Sequence, residues 1–194
     1  MIAVVDSGGA NLASVVAAFD RLGAKTELTG DPERVRRGSR VVLPGVGAAG
    51  SAMAVLRRRG LDDCLKELTQ PVLGICLGMQ LLFRSSEEGP TPCLGLIAGD
   101  VARLAPAGLS VPHMGWNEVA FQGSSALFKG LADGAFFYFV HSFAAAPGPW
   151  VRATCGYGGE VTAAVAQDNF FGVQFHPERS AKAGARVLEN FLAL

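Results

Sequence analysis

Charged side chains are scarce in this chain of 194 residues, and the two signs cancel. Charged residues make up 18% of the sequence, with 17 basic and 17 acidic side chains and a formal net charge of +0. Such a balance points to neither nucleic acid nor an anionic membrane surface as a partner. Basic residues cluster only at Arg34, Arg36 and Arg37 and at Arg57–Arg59, and both clusters are typical of solvated helix faces.

Long hydrophobic runs are missing as well. No apolar stretch approaches the roughly 20 residues that span a bilayer, and the first residues lack the basic and apolar pattern of a signal peptide. The four cysteines form no CxxC pair, which argues against a zinc site. Without a secretion signal, free thiols are expected rather than disulfides. We therefore predict a cytoplasmic protein with no metal site.

The hydrophobic fraction of 49% suffices for a substantial core, and no linker or repeat is visible, so we predict one domain over residues 1–194. In the first half, short apolar runs alternate with helical periodicity, as in a strand over 2–5 and a helix over 12–22. After a polar loop predicted over 85–92, strands follow one another until a last helix over 187–194. The pattern predicts an α/β fold with a mostly parallel central sheet covered by helices and an added antiparallel strand region in the C-terminal half.

The stretch Pro71–Gln80 combines a buried strand with a reactive side chain. Val72–Ile75 has the composition of a buried strand, and the residues from Met79 onward have that of a helix. Between them lies Cys76 in the pattern Gly-x-Cys-x-Gly, which is typical of a nucleophile elbow. The amide of Leu77 and the helix N-terminus would favour the thiolate, which is the nucleophilic form. The alternative is a small buried cysteine in a tight turn.

A histidine and a carboxylate a hundred residues downstream could complete this chemistry. His176 follows an apolar run and lies two residues before Glu178. A histidine that reaches a thiol can take its proton and give it to a leaving amine, and a carboxylate can fix the tautomer of that histidine. Taken alone, the pair is also consistent with a cap at the start of the last helix.

The loop Pro44–Gly47 follows a strand predicted over 40–43 and carries a glycine on each side of Val46. These glycines would let a peptide unit adopt an unusual orientation or flip. A backbone amide could then face an active site and stabilise an oxyanion. The alternative is an ordinary type II turn, in which Pro-Gly is common.

Three motifs together resemble those of the triad-type class I glutamine amidotransferases, in the order Cys, His, Glu and over essentially the whole chain. They are Gly-x-Cys-x-Gly around Cys76, His-Pro-Glu at 176–178 and Pro-Gly-x-Gly at 44–47. The segments 6–11, 112–117 and 138–143 resemble one branch of this family, the glutaminase subunits of imidazole glycerol phosphate synthases in histidine biosynthesis. The first of these segments departs from the branch at Ala10, where glycine is more common.

The resemblance implies a glutaminase that needs no cofactor or metal. Cys76 would attack the side-chain amide of glutamine, His176 would act as acid and base, Glu178 would orient His176, and a glutamyl thioester would be hydrolysed to glutamate. The implied oxyanion hole comprises backbone groups of Val46, Gly47 and Leu77. The implied glutamine-binding residues are Gly47, Gln80, Ser142 and Phe143.

The resemblance also implies a partner, a (β/α)8-barrel cyclase subunit that forms a heterodimer with this chain, receives the ammonia and switches on the glutaminase. The candidate interface residues are Asn11, Trp116, Asn117 and Tyr138. Three other functions remain open from the sequence. They are a glutaminase serving another synthase, such as those for anthranilate or guanylate, a non-enzymatic scaffold or thiol sensor, and a cysteine peptidase.

Overall fold

The structure, a computed structural model, describes residues 1–8 and 12–194. The strands in these residues are β1 (Ile2–Val5), β2 (Thr26–Thr29), β3 (Arg40–Gly45), β4 (Val72–Cys76), β5 (Phe83–Ser86), β6 (Thr91–Pro92), β7 (Ile97–Arg103), β8 (His113–Phe121), β9 (Ala135–His141), β10 (Phe143–Ala145), β11 (Val151–Gly156), β12 (Glu160–Gln167) and β13 (Phe170–Val173). The α-helices are α1 (Leu12–Arg21), α2 (Pro32–Arg37), α3 (Ala49–Arg58), α4 (Leu61–Lys66), α5 (Leu77–Gln80) and α6 (Ala181–Leu192). None of these helices has the length and apolar character needed to cross a bilayer.

A mixed sheet of nine strands has the order β2-β1-β3-β4-β13-β12-β11-β8-β9. The first five strands in this order are parallel, and the other four are antiparallel to their neighbours. The fold class predicted from the sequence is thereby confirmed, including the antiparallel region contributed by the C-terminal half. Strand β4, which ends at the cysteine of the elbow, lies between β3 and β13 within the parallel part.

The inner parallel strands β1 and β4 are buried at every position because helices cover both faces of the sheet, whereas the edge strand β2 is largely polar. Along β1, Val4 packs into a cluster with Phe19 of α1 and Phe191 of α6, whereas its neighbour Val5 packs with Met53 of α3 on the other face. This alternation follows from the two-residue period of a strand. Strand β4 follows the same rule, with Leu73 and Ile75 in the first cluster and Val72 in the second, and full burial of each large side chain contributes about 1.5–3 kcal/mol.

A second sheet of four strands, ordered β10-β7-β5-β6, adjoins the first. The chain passes from one sheet to the other at Ser142, which separates the end of β9 from the start of β10. The carbonyl of Ser142 accepts a hydrogen bond of 2.9 Å from the amide of Leu104, which follows β7. The junction between the sheets is thus fixed beside the elbow.

Several boundaries differ from the sequence prediction. The prediction of a loop over 85–92 is wrong, because β5 and β6 pair as a short hairpin in this range. Helix α2 was not predicted, although Asp31 caps it by accepting a bond of 2.9 Å from the amide of Glu33. Helix α6 begins six residues before the predicted start, because four of its first six residues are alanine or glycine and the other two are charged, which gives little apolar periodicity.

Candidate active site

The elbow around Cys76 has a backbone that ordinary residues rarely adopt. Cys76 has φ 53° and ψ −111° at the junction of β4 and α5. A Cβ at Gly74 would lie 2.7 Å from the carbonyl oxygen of Gly78, and a Cβ at Gly78 would collide with the carbonyl of Leu43 in β3. The two glycines are therefore required for strand, turn and helix to approach this closely, and the close approach holds the strained cysteine in place.

His176 and Glu178 lie just after β13, in a short 3-10 turn at Pro177–Arg179. The Nδ1 atom of His176 is 2.8 Å from Oε1 of Glu178, and the two side chains are only 4% and 1% exposed. The backbone amide of His176 donates to the carbonyl of Tyr138 at 2.9 Å, and the hydroxyl of Ser180 donates to the carbonyl of His176 at 2.7 Å. The imidazole is thus oriented by its carboxylate and by bonds to its own backbone.

The other ring nitrogen of His176 faces the sulfur of Cys76. In the part of the chain that the structure describes, the buried Nε2 atom has no nitrogen or oxygen partner, and the neighbouring reactive group is the Cys76 sulfur. Burial disfavours the imidazolium, but Cys76 and Glu178 outweigh it and raise the pKa of His176 to about 10. The site therefore favours the imidazolium form of His176, which can protonate a leaving nitrogen next to the Cys76 sulfur.

A cavity of about 310 Å³ opens over the sulfur. Eight of the residues predicted from the sequence line it, namely Val46, Gly47, Cys76, Leu77, Gln80, Ser142, Phe143 and His176. Glu178 lies behind the imidazole. In the register of β3 and β4, Gly45 is opposite Cys76, so the loop with Val46 and Gly47 leaves the sheet directly beside this cysteine. Gly47 has φ +95°, a conformation that favours glycine.

Gln80, predicted to bind glutamine, is itself held by two hydrogen bonds. Its Nε2 atom donates to the carbonyl of Phe143 at 2.8 Å and to Oε1 of Gln174 at 2.9 Å. The carbonyl of Phe143 also lies 2.8 Å from Nδ1 of His141. The carbonyl of Phe143 therefore serves to position side chains of the protein, and Gln80 has its amide oxygen left for a ligand.

Three polar residues at the site were not predicted from the sequence. Glu88, in the β5–β6 hairpin, lines the cavity, and its Oε2 accepts a bond of 2.8 Å from the amide of Ala49 at the start of α3. His141 lines the cavity from the end of β9. Gln174, directly after β13, contacts the Cys76 sulfur. Only Gln174 carried a local signal, since it is a polar residue inside the apolar run that leads to His176.

The candidate interface residues separate into two faces of β8. Trp116 is 54% exposed, and its ring lies edge-on to that of Tyr138 with centroids 6.1 Å apart. Asn117, the next residue, points to the opposite face and donates to the carbonyl of Gly156 at 2.9 Å. Asn11 lies outside the described residues.

A protein-family model described as glutamine amidotransferase class-I matches residues 3–194. The chain belongs to this family. The resemblance inferred from the three motifs is thereby confirmed, and the protein is an enzyme, a glutamine amidotransferase. The thiol-sensor and peptidase alternatives are set aside by this membership.

The amidotransferase has close relatives over its full length. It is 52% identical to the imidazole glycerol phosphate synthase subunit HisH of Escherichia coli over 194 residues. This alignment covers 100% of this chain and 99% of the relative. It is 50% identical over 191 residues to the protein of the same name from Haemophilus influenzae, covering 98% of this chain and 96% of that one.

Solved structures show the same fold at lower sequence identity. One is a putative GMP synthase protein from Thermoplasma acidophilum, with a TM-score of 0.76 and 20% identity, covering 99% of this chain and 92% of that one. Another is PurLQS from Thermotoga maritima, with a TM-score of 0.78 and 20% identity. The match covers 99% of this chain and 97% of that one. At this identity the likeness concerns the fold of the amidotransferase alone.

Proposed function

We propose that this amidotransferase is the glutaminase subunit of an imidazole glycerol phosphate synthase and supplies ammonia for histidine biosynthesis. Relatives that are 50% and 52% identical over nearly their whole length carry the name of that subunit. The observation that carries the chemistry is the 2.8 Å contact between His176 and Glu178 behind a cavity that exposes Cys76. These three residues form the proposed catalytic triad.

The reaction begins when the Cys76 thiolate attacks the side-chain amide carbon of glutamine and the carbonyl π electrons move to oxygen. As the oxyanion collapses, the C–N bond breaks, and the imidazolium of His176 gives its Nε2 proton to the departing nitrogen. Ammonia and a glutamyl thioester result. The neutral imidazole then takes a proton from water as the water attacks the thioester, the C–S bond breaks, and glutamate leaves with the imidazolium–thiolate pair restored.

The oxyanion would be stabilised by backbone amides of Leu77 and of the loop at Val46 and Gly47, which line the cavity beside the sulfur. Losing one such donor typically costs about 3 kcal/mol of transition-state stabilisation. A flip of the Val46 peptide would turn the site on or off, and the positive φ of Gly47 supports this freedom.

Glutamine carries an ammonium and a carboxylate at the end remote from the reacting amide. Glu88 is the acidic side chain among the residues that line the cavity, and its carboxylate matches the ammonium of the substrate. The amide oxygen of Gln80 offers a further acceptor, and the backbone around Ser142 and Phe143 offers polar groups at the cavity wall. These groups would fix glutamine with its amide carbon over Cys76.

The relatives are named as subunits, which supports assembly of this chain with a second protein. We propose that the partner is a (β/α)8-barrel cyclase and that it covers the exposed ring of Trp116 and the half-buried ring of Tyr138 beside it. Ammonia released at Cys76 would protonate in water, and a covered passage to the cyclase would prevent that loss.

The test is glutamate release from glutamine by the purified chain, measured alone, with the barrel cyclase, and with the cyclase and its ribonucleotide ligand. Strong activity only in the third mixture supports the proposal together with gating of the oxyanion hole. Strong activity of the chain alone would keep the triad and refute the gating. Inactivity in all three mixtures would refute assignment to this synthase.

A further inference from the structure

Gln174 is a fully buried polar side chain at the end of β13, two residues before His176. It follows the last residue of β13, and its neighbours Val173 and Phe175 are apolar and fully buried. Burying an amide costs free energy unless its polar atoms are hydrogen-bonded. The partners of this amide therefore indicate why the position is polar.

Both ends of the Gln174 amide are engaged, and both partners belong to the active site. The Nε2 atom lies 3.6 Å from the sulfur of Cys76, and Oε1 accepts a hydrogen bond of 2.9 Å from Nε2 of Gln80. Gln174 thus connects the nucleophile to a residue of the glutamine-binding wall. The three residues are close only in the fold, since Gln174 is separated from the other two by more than 90 positions.

The orientation of this amide follows from the groups around it. The carbonyl of Phe143 can only accept, so Gln80 must present its nitrogen on that side, and the same nitrogen donates to Gln174. Gln174 must therefore accept this bond with its amide oxygen, and its NH2 group then points toward the sulfur. The sulfur of Cys76 accordingly receives an N–H donor that cannot rotate away.

We propose that Gln174 is a positioning residue for the glutaminase reaction, holding the Cys76 thiolate and the Gln80 amide in a fixed relation; this inference rests on the proposed function. As a thiol, Cys76 can donate to the carbonyl of Val140, 3.8 Å from the sulfur. As a thiolate it can only accept, so the Val140 carbonyl repels it and the Gln174 N–H attracts it. The attacking form is therefore held on the Gln174 side of the cavity.

Two substitutions separate the two ends of the amide. Gln174→Met fills similar space but removes the donor to Cys76 and the acceptor for Gln80, so we expect kcat to fall about tenfold or more and KM for glutamine to rise. Gln174→Glu keeps an oxygen for Gln80 and loses the NH2 group, so we expect kcat to fall while KM stays within about twofold of the parent.

A pH profile provides a signature that a space-filling role would not give. A protonated carboxyl group at position 174 carries a hydrogen that can point to the sulfur, whereas the carboxylate repels a thiolate. The deficit of Gln174→Glu in kcat should therefore be larger at pH 9 than at pH 6. The rate at which iodoacetamide alkylates Cys76, followed on the Cys76 peptide by mass spectrometry, should fall in both variants, since this reaction needs no bound glutamine.

The matched control is Gln167→Met on the neighbouring strand β12, where a half-buried glutamine donates to the carbonyl of Leu96 at 3.1 Å. All variants are assayed with the barrel cyclase and its ligand, and thermal unfolding checks that each one folds. The inference is overturned if the Gln174 variants match Gln167→Met in kcat, KM and alkylation, or if Gln174→Glu shows a deficit independent of pH. An inactive parent chain would instead refute the proposed function.

Discussion

The Nδ1 atom of His113 lies 2.9 Å from Nε2 of His141, so two buried histidines share one hydrogen bond. Its direction is fixed, because Nδ1 of His141 must carry the hydrogen that faces the carbonyl of Phe143 at 2.8 Å. His113 therefore donates to His141, and its own Nε2 accepts from the amide of Asn117 at 3.2 Å. A one-way chain of hydrogen bonds thus runs from β8 to the same carbonyl that holds Gln80.

The histidine pair should make the protein sensitive to acid. Burial lowers the pKa of both His113 and His141 to about 4, against an ordinary value of 6.5. Between these values the unfolded chain binds more protons than the folded one, so stability falls as the pH drops from 6.5 toward 4. We expect His141 alone to cost about 2 kcal/mol on going from pH 7 to pH 5. Urea unfolding of the parent and of His141→Gln checks this, since the variant should lose less stability over the same range.

The charge of His176 should depend on the nucleophile. Its pKa of about 10 is raised by Cys76 as well as by Glu178, so removing the sulfur should lower it. In the parent, this raised value adds stability that is complete below pH 6.5 and is lost as the pH rises through 10. An NMR titration of the His176 ring in Cys76→Ala should show a lower midpoint, with Cys93→Ser as the control thiol. An unchanged midpoint in Cys76→Ala would show that the Cys76 sulfur does not raise the pKa of His176.

Gly184 should resist a substitution that usually stabilises helices. Replacing a helical glycine by alanine typically gains up to about 1 kcal/mol, but a Cβ at Gly184 would collide with the carbonyl of Pro177. We expect Gly184→Ala to displace the turn that carries His176 and to lower both stability and kcat. The control is Gly50→Ala in α3, where a Cβ would meet only the hydroxyl of Thr91 at 3.3 Å. Equal effects of the two substitutions on unfolding and on kcat would refute this expectation.

Gly47 should matter for activity through its backbone conformation alone. A Cβ there would meet nothing within 4 Å among the described residues, yet φ is +95°. Gly47→Ala therefore introduces conformational strain of about 1–3 kcal/mol without a steric clash. We expect stimulated glutaminase activity to fall at least tenfold, as measured by steady-state glutamate release. Full activity in this variant would show that the conformation of the loop is not needed for the oxyanion.

The exposed ring of Trp116 should contribute to cyclase binding. Large aromatic side chains at the centre of an interface commonly contribute about 2 kcal/mol or more to binding. Trp116→Ala should weaken the complex at least tenfold, as measured by calorimetry, and leave the free energy of unfolding nearly unchanged. Leu28→Ala is the control, because Leu28 is also exposed but lies on β2, at the opposite edge of the nine-stranded sheet. Equal affinities of the two variants would remove Trp116 from the interface.

The parts of the candidate site that could be predicted from the sequence are those that lie in short motifs. The elbow at Cys76 and the pair of His176 and Glu178 each depend on neighbours within a few residues, and the family to which they pointed is confirmed. Gln174 and Glu88 act through contacts with distant parts of the chain. The polar character of Gln174 within an apolar run marks it as unusual, but no local pattern reveals the partners of either residue. Helix α2 and the early turns of α6 were missed because they are short or built from small residues, so packing rather than periodicity stabilises them.

The backbone of Cys76 restricts which nucleophiles this scaffold could ever use. At φ 53° a side chain branched at Cβ crowds its own backbone. Threonine, which serves as a nucleophile in other hydrolases, would therefore destabilise the elbow before its hydroxyl could react, whereas serine shares the unbranched shape of cysteine. The backbone at this position thus permits either a sulfur or an oxygen as the attacking atom. It does not permit a side chain that is branched at Cβ.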